Sequence, residues 1–407
     1  MMSDFFQNGR ITTLHNLSTR TLEQLEDELQ YFSQMRPMGL ILPSLYSEIE
    51  RPALTTIVNE LKKVNYLKQI VIGIDQADRE QFRHATQFFS RLPQEHDLLW
   101  NDGPNLMAVD ARLKKEGLAP TEQGKGRNVW YCMGYMLAKN NTQAIALHDC
   151  DIITYKRDML ARLLYPVANP QFNYRFCKGY YSRIFADSMN GRVSRLLVTP
   201  LIRALNHQHG PHCYLDFLDS FRYPLAGEFS MRYDVLESLR MPTDWGLEVG
   251  ILMEMRKNYA TNHICQVDIA DNYDHKHQDF SREDKEKGLS KMSIEIAKAI
   301  FKKLATDGIE FSQESLRTTK ATYYRIALDL VDSYRNDAIF NGLNYETHVE
   351  EMMVEVFAEN IKYAGNLFLE DTDEAPFIPS WHRVASALPD IFTDLLDAVE
   401  ADRKECT

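Results

Sequence analysis

The chain of 407 residues lacks any long uncharged apolar run. No such run approaches the roughly 20 residues that a membrane-spanning helix needs. Cations are in deficit, because 46 Lys and Arg stand against 58 Asp and Glu, for a formal net charge of −12. This deficit argues against nucleic acid or an anionic membrane as the partner, since both attract basic proteins. Anionic substrates would therefore need a local concentration of cations.

Cysteine is also scarce. The six cysteines are scattered and no pair shows C-x-x-C spacing, which favours reduced thiols over a disulfide framework or a zinc site. The N-terminal stretch "MMSDFFQNGRITTLHN" has no basic region followed by an apolar core, so we expect no signal peptide. These features predict a cytoplasmic protein.

Apolar residues make up 44% of the chain, enough for a substantial core in one large domain or two. The first half alternates apolar strand patterns with helical patterns, which predicts a parallel sheet with crossover helices. The predicted strands are 38–42, 67–75, 96–102 and 144–149, and the predicted helices are 18–35, 51–64, 78–91 and 127–139. Further on we predict helices at 191–206 and 234–240 and a strand at 263–271, and from about residue 281 the pattern is almost wholly helical.

The stretch "AIALHDCDI" ends an apolar run with Asp149 and Asp151. Side chains alternate along a strand, so both carboxylates would point to the same side. Like charges at close range repel unless a cation lies between them, which favours a divalent cation that carries a phosphate group. The alternative is a solvated strand end. Pro43 and Asp75 also follow apolar strands, and ligands of parallel sheets bind beyond such carboxyl ends, which favours the cation site.

Two basic segments are candidate anion sites. "GKGRN" lacks P-loop spacing, but Lys125 could reach an anion ahead of a helix. In "NGRVSRL", Arg192 and Ser194 follow Gly191 at an apparent helix start, where backbone N–H groups and a guanidinium favour an anion. A solvated basic surface is the alternative in both cases.

Three further residues could act in a site of this kind. Glu228 and Glu248 lie in apolar or Gly-rich stretches and could act at a sugar, although structural hydrogen bonding is the favoured explanation for each residue taken alone. His275 is a residue type that can complete a metal site begun by an aspartate.

The chain resembles retaining GT-A glycosyltransferases, and more closely glucosyl-3-phosphoglycerate synthases, with mannosylglycerate synthases as cousins. The segments that carry the resemblance are "LPSLYSE", "GID", "GKGRN", "HDCDI", "NGRVSRL", "PLAGE", "DWGLEVG" and "DHKHQ". It implies an α/β fold with a Rossmann-like GT-A domain over 36–280, after an N-terminal helical segment (1–35) and before a helical C-terminal extension (281–407). It also implies glucose transfer from a nucleotide-glucose such as UDP-glucose to 3-phosphoglycerate, a divalent cation (Mg²⁺ or Mn²⁺) and a homodimer.

The resemblance assigns a role to each matching position. Donor binding falls to Pro43, Ser44, Leu45, Glu48, Asp75, Lys125 and Asp149. Acceptor binding falls to Gly191, Arg192, Ser194 and, less closely matched, His277. Metal binding falls to Asp151 and His275, while the backbone carbonyl of Leu225 and the side chain of Glu248 line the reacting sugar.

Other functions stay open from the sequence. The same chemistry could use a GDP-sugar and glycerate or another small hydroxy acid, but a phosphorylated acceptor gives Arg192 a purpose. A nucleotidyltransferase would have a Gly-rich basic loop after its first strand, and "LPSLYSE" is neither. A non-catalytic sugar-nucleotide binder would have no need of Asp151, His275 and Glu248 together. A front-face mechanism and a double displacement through Glu228 or Glu248 are both possible.

Overall fold

The structure is a computed structural model that describes residue 7 and residues 9–242, 246–275, 287–370 and 377–406. The strands in these segments are β1 (Thr12–Leu14), β2 (Met38–Leu45), β3 (Leu67–Asp75), β4 (His96–Trp100), β5 (Ala144–Leu147), β6 (Phe176–Tyr181), β7 (Ile184–Phe185), β8 (Ser188–Met189), β9 (Phe229–Arg232) and β10 (Ile264–Ala270). The helices before residue 200 are α1 (Leu22–Ser33), α2 (Tyr46–Ile49), α3 (Pro52–Leu61), α4 (Arg79–Phe89), α5 (Pro104–Lys115), α6 (Lys125–Lys139), α7 (Arg157–Ala168), a π-helix (Val193–Val198) and α8 (Thr199–His209). The later helices are α9 (Cys213–Asp219), α10 (Tyr233–Ser238), α11 (Leu247–Asn258), a 3₁₀ turn (Thr261–His263), α12 (Gly288–Thr306), α13 (Gln313–Phe340), α14 (Thr347–Glu370), α15 (Trp381–Ala387) and α16 (Ile391–Cys406).

Eight strands form one twisted sheet in the order β1-β10-β6-β9-β5-β2-β3-β4, and β7 and β8 form a separate hairpin. In the described sheet β9 runs antiparallel to both of its neighbours, β5 and β6, while the other pairs are parallel. The fold is thus a mostly parallel α/β sheet, as predicted.

Both faces of the sheet are covered by helices, which explains why its central strands are apolar along almost their whole length. In β2, Leu40 and Leu42 pack into one hydrophobic layer, whereas Ile41 between them packs into the other. Helix α7 covers one face of β5, β6 and β10, and α6 covers β2 and β3 on the opposite face.

The predicted strands and helices of the first half are present, and two differences at strand ends bear on the site. β2 continues through Pro43 to Leu45, where β3 pairs with it as far as Asp75. β5 ends at Leu147, before the two aspartates. The strands β6 and β9 and the helices α5 and α7 were not predicted. β9 has four residues, "FSMR", too few for a period-two pattern to be visible.

The described segments near each end of the chain pack against the main sheet and its helices. Within the segment predicted as helical (1–35), three residues form β1, which extends the sheet by pairing with β10. The C-terminal region is helical as predicted: α12, α13 and α14 pack together and against α8, while α16 packs on α5 and α6. Trp381 stacks on Trp130 with ring centroids 4.0 Å apart, which ties this region to α6. No helix in the described segments combines the length and the apolar character required to cross a membrane.

Candidate active site

A cavity of about 770 Å³ lies at the carboxyl edge of the sheet, where β2, β3 and β5 end. Thirteen of the fifteen residues predicted from the sequence line it: Pro43, Ser44, Leu45, Glu48, Asp75, Lys125, Asp149, Asp151, Gly191, Arg192, Leu225, Glu248 and His275. Ser194 is buried and is not among the described residues that line the cavity. His277 lies outside the described residues.

Asp149 and Asp151 meet at the cavity for a reason other than the one predicted. β5 ends at Leu147, so both carboxylates lie in the turn that follows and not on one strand face. The antiparallel strand β9 then explains the next group of residues. Because Phe229 pairs with Leu147, the residues that precede β9 reach the same edge of the sheet, and Leu225 and Gly227 line the cavity there.

An ionic cluster centres on Lys125, the first residue of α6. Its Nζ lies 2.7 Å from Asp149 Oδ1 and 3.2 Å from Glu248 Oε1. Burial opposes charge at this position, but the attraction of the two carboxylates raises the pKa of Lys125. Burial likewise opposes the Asp149 charge, and Lys125 nevertheless lowers the pKa of that carboxyl. The lysine therefore favours the charged form of Asp149 and forms an ion pair with Glu248 beside the cavity.

The close approach within this cluster depends on Gly227. A Cβ atom there would lie 2.4 Å from Asp149 Oδ2 and 3.1 Å from Lys125 Nζ. Any larger residue would displace the Asp149 carboxylate, since real Cβ atoms do not approach other atoms so closely, and it would also crowd Lys125. The glycine in "PLAGE" is thus required by packing against the cluster.

Asp151 and His275 form a second pair on the same wall. An antiparallel bridge between Ile152 and His275 brings the two segments together, and His275 Nδ1 lies 3.8 Å from Asp151 Oδ2. Burial and the neighbouring Asp149 raise the pKa of Asp151 to about 7. Its carboxylate thus lacks sufficient counter-charge from the protein.

These two side chains fit a divalent cation. Metal–oxygen and metal–nitrogen bonds of about 2.0–2.2 Å would span the gap between the two donor atoms. In the part of the chain that the structure describes, no group of three or more His, Cys, Asp or Glu side chains is placed to hold a metal. A cation held by Asp151 and His275 would take its other ligands from substrate phosphates or water, which is the usual arrangement for Mg²⁺.

Glu228 is separated from the reaction space. Its carboxylate is fully buried and accepts hydrogen bonds from Tyr181 Oη at 2.8 Å and from Tyr273 Oη at 2.6 Å. The two tyrosine rings stack with centroids 3.7 Å apart, and both line the cavity in front of the acid. Burial and Asp149 raise the pKa of Glu228. Of the two candidate nucleophiles, only Glu248 lines the cavity among the described residues.

A cluster of the opposite sign lies at the other end of the cavity. Gly191 adopts a φ of +74°, which favours glycine, and Arg192 follows it at the start of the π-helix. Arg192 Nε donates to Glu350 Oε1 at 2.7 Å, and a terminal nitrogen of Arg195 lies 3.0 Å from Glu350 Oε2. The predicted helix at 191–206 is therefore a π-helix that continues into α8.

The ends of β2 and β3 form a third wall. Asp75 accepts a hydrogen bond from Asn101 Nδ2 at 2.7 Å, and burial raises its pKa to about 6. Glu48 is also buried, with its Oε2 atom 3.6 Å from Arg51 Nε. Pro43, Ser44 and Leu45 complete this wall.

Several cavity residues were not identified from the sequence. Arg183 and Tyr223 lie beside Gly191, with 3.5 Å between the guanidinium and the phenol oxygen. Helix α12 adds Leu289, Lys291, Met292 and Glu295 from the C-terminal region. No local pattern marks these residues, because only the packing of distant helices brings them to the site.

The mostly parallel sheet, its acidic carboxyl edge and the cavity beyond that edge define the class of protein. They are the features of a GT-A glycosyltransferase that binds a nucleotide-sugar. No protein-family profile matches the chain. It is 44% identical to the glucosyl-3-phosphoglycerate synthase of Persephonella marina over 404 residues, which cover 99% of this chain and 100% of that one. It is 40% identical to the enzyme of the same name from Methanococcoides burtonii, over 99% of this chain and 98% of the relative.

The chain therefore belongs to the glucosyl-3-phosphoglycerate synthase family. Among solved structures, the fold is similar to that of the Mycobacterium tuberculosis glucosyl-3-phosphoglycerate synthase in complex with Mn²⁺, UDP-glucose and phosphoglyceric acid. That match has a TM-score of 0.54 and 18% identity, and it covers 75% of this chain and 90% of the other. At this identity the match bears on the fold alone.

Proposed function

We propose that this protein transfers glucose from a nucleotide-glucose donor such as UDP-glucose to 3-phosphoglycerate, with retention of anomeric configuration, to form glucosyl-3-phosphoglycerate. The observation that carries the proposal is one cavity with an ionic cluster at each end, one with an excess of negative charge and the other with an excess of positive charge. At one end Lys125 pairs with Asp149 and Glu248, with Asp151 close by, and at the other Arg192 and Arg195 both pair with Glu350. The first end suits a cation with its diphosphate, and the second suits an anionic acceptor.

The carboxylate end would hold the metal and the donor. Asp151 and His275 would bind Mg²⁺ or Mn²⁺, the ions named with UDP in the Mycobacterium tuberculosis structures. When bound, such a cation neutralises charge on the diphosphate leaving group. The nucleoside would lie against the third wall, formed by Pro43, Ser44, Leu45, Glu48 and Asp75.

A front-face reaction agrees best with the carboxylates near the sugar. The bond from the anomeric carbon to the diphosphate oxygen breaks while the acceptor oxygen bonds on the same face, and a departing phosphate oxygen takes the acceptor's proton. Glu228 is unsuited to attack, because both of its oxygens accept hydrogen bonds from tyrosines. Glu248 Oε1 is paired with Lys125, so we assign Glu248 to stabilising positive charge at the anomeric carbon. The backbone carbonyl of Leu225 would line the same sugar.

The arginine end would bind the acceptor phosphate through Arg192, with Gly191 beside it. A guanidinium can hold phosphate oxygens through two parallel hydrogen bonds. Glycerate lacks that phosphate, so the alternative reaction with glycerate would leave Arg192 without this ligand. Ser194 and His277 remain acceptor-binding predictions, and the structure adds no contact that supports either.

The direct test is a turnover assay on the purified chain. UDP-glucose, 3-phosphoglycerate and Mg²⁺ or Mn²⁺ are incubated, and the product is followed by mass and by the NMR coupling of its anomeric proton. We expect a hexosyl-3-phosphoglycerate with the donor's anomeric configuration, and loss of product with a chelator. Parallel reactions with GDP-glucose, GDP-mannose and glycerate define the alternatives. Inversion at the anomeric carbon, or product from glycerate alone, would contradict the proposal.

We also infer a cytoplasmic location. All six cysteines lie in described segments and are unpaired, which agrees with a reducing compartment. The homodimer stays a prediction, and light scattering of the purified protein measures it.

A further inference from the structure

We propose that Glu350, in the C-terminal helical region, is a positioning residue that orients Arg192 toward the acceptor. This inference rests on the proposed function and deepens it, because it assigns part of the acceptor site to helices outside the GT-A sheet. Glu350 lies on α14, 158 residues after Arg192, and receives the Arg192 Nε hydrogen bond at 2.7 Å. The sequence indicated no chemistry for these helices.

The two arginines that share Glu350 have different surroundings. The Arg195 side chain is 10% exposed, donates to the carbonyls of Asn190 and Met189, and lies over the Tyr334 ring at 4.7 Å. The Arg192 side chain is 37% exposed and lines the cavity. Arg195 therefore braces the carboxylate from within the protein, and Arg192 is the member of the pair that a ligand can reach.

The geometry leaves the outer edge of the Arg192 guanidinium, formed by its two terminal nitrogens, available to a ligand. Glu350 takes its Nε atom, and among the described residues no hydrogen bond or ion pair joins either terminal nitrogen to another side chain. Two terminal nitrogens of a guanidinium can bind phosphate oxygens through parallel hydrogen bonds. The Glu350 carboxylate thus fixes the Nε atom of the guanidinium and leaves its two terminal nitrogens directed to a ligand.

A second contact links the same helices to the acceptor side. The loop between α13 and α14 pairs with the β7–β8 hairpin, where Asn344 N donates to Asp187 O at 2.6 Å and Asn344 bridges Ser188. Phe185, Ala186 and Ser188 of this hairpin segment line the cavity. The C-terminal region therefore supports both the arginine and the loop beside it.

Two effects of Glu350 on acceptor binding oppose each other. Its negative charge disfavours a nearby phosphate, while its hydrogen bond removes rotational freedom that Arg192 would otherwise lose on binding. Without Glu350, the buried Arg195 and the more exposed Arg192 would also repel, and Arg192 would move toward solvent. We expect the loss of positioning to dominate.

Kinetics on E350A and E350Q test this, with E359Q as the matched control. Glu359 is on the same helix and pairs with Lys320 at the surface. We expect E350A to raise the KM for 3-phosphoglycerate roughly tenfold, with the UDP affinity measured by calorimetry unchanged. E350Q keeps the side-chain volume and should give a smaller rise, so it carries the test if E350A does not fold. E359Q should match the parent.

A double-mutant cycle with R192A separates positioning from general destabilisation. If Glu350 acts through Arg192, E350A adds less than about twofold to the KM of R192A, because coupled residues are not additive. Multiplied effects, a parallel loss of UDP affinity, or a lower KM for 3-phosphoglycerate in E350A would each overturn the proposal. A parent protein that forms no glucosyl-3-phosphoglycerate would instead contradict the proposed function, and the cycle would then be measured as 3-phosphoglycerate binding.

Discussion

The two ends of the cavity have inverse ionic arrangements. At the sheet edge one cation, Lys125, lies between Asp149 and Glu248, with Asp151 close by. At the far end one carboxylate, Glu350, lies between Arg192 and Arg195. The first cluster retains negative charge after its internal pairing, and the second retains positive charge.

At each end of the cavity, the charge that the protein leaves uncompensated indicates which ligand binds there. Asp151 is the clearest case, because burial and Asp149 raise its pKa to about 7 where a cation would lower it. Arg192 is the counterpart, since Glu350 serves two guanidinium groups at once. A buried or half-buried charge without full compensation is costly, so a protein that maintains two of opposite sign in one cavity is suited to a substrate pair with matching charges.

Removing Asp151 should have the largest effect on the contrast between the two ends, because it removes the uncompensated carboxylate of the negative cluster. We expect D151A to reduce transfer below detection, because the cation would lose its carboxylate ligand and the diphosphate would then lose the cation. The fold should persist, since the raised pKa means that burying this charge disfavours the native state in the metal-free protein. Turnover, Mn²⁺ calorimetry and thermal unfolding measure the three effects. Near-parental activity at saturating metal would rule out this ligand.

A methyl group at Gly227 should disturb the negative cluster without removing any charge. In G227A the new Cβ would displace Asp149 and crowd Lys125, and a misplacement of about 1 Å can cost roughly 100-fold in turnover. The control is G39A, where the new Cβ meets the flexible end of Met136 at 3.0 Å in a strand away from the site. Equal activity of both variants would show that the cluster geometry does not matter for transfer.

Loss of His275 should weaken metal use and leave the carboxylates in place. We expect H275A to need about 10- to 100-fold more metal for half-maximal activity, in the range seen when the environment of a metal site is altered. His263, at the opposite end of β10, provides the control variant H263A. Overlapping metal titrations of H275A and the parent would exclude His275 as a ligand.

The smallest expected effect concerns a second cation associated with the negative cluster. Burial lowers the pKa of Lys178 to about 8, against the attraction of Glu248 and Glu228. Between about pH 8 and pH 10.5 the native state has lost this proton and the unfolded state keeps it, so stability rises with pH in that window. Relative to K178M, the parent should gain up to roughly 3 kcal/mol, at about 1.4 kcal/mol per pH unit. Denaturant unfolding across this range measures the difference, and parallel curves would contradict it.

The sequence was most informative about the sheet edge. Apolar strands that end at Asp75 and just before Asp149 place carboxylates at the carboxyl edge by topology alone. The local sequence made Lys125, Arg192 and His275 candidates, and the resemblance gave each of them a role. What it could not show depends on contacts between distant segments. The short antiparallel strand β9 brings Gly227 to Asp149, and two tyrosines, one at the end of β6 and one in the segment after β10, withdraw Glu228 from the cavity.

The same limit applies to the C-terminal helices. Glu350 lies in an ordinary amphipathic pattern, and nothing in "YETHVEEMM" distinguishes it from the neighbouring Glu351. Only the packing of α14 against the π-helix buries one of the two beside Arg192.

The most direct test of the account is acceptor selectivity, measured as the ratio of kcat/KM for 3-phosphoglycerate to that for glycerate in the parent and in R192A. A charge-assisted hydrogen-bonded pair contributes about 1.5–3 kcal/mol, which corresponds to about 10- to 150-fold. We predict that the ratio falls by that factor in R192A while the UDP affinity is unchanged. An unchanged ratio, with both acceptors affected equally, would show that Arg192 is structural and would contradict the assignment of the positive cluster to the acceptor phosphate.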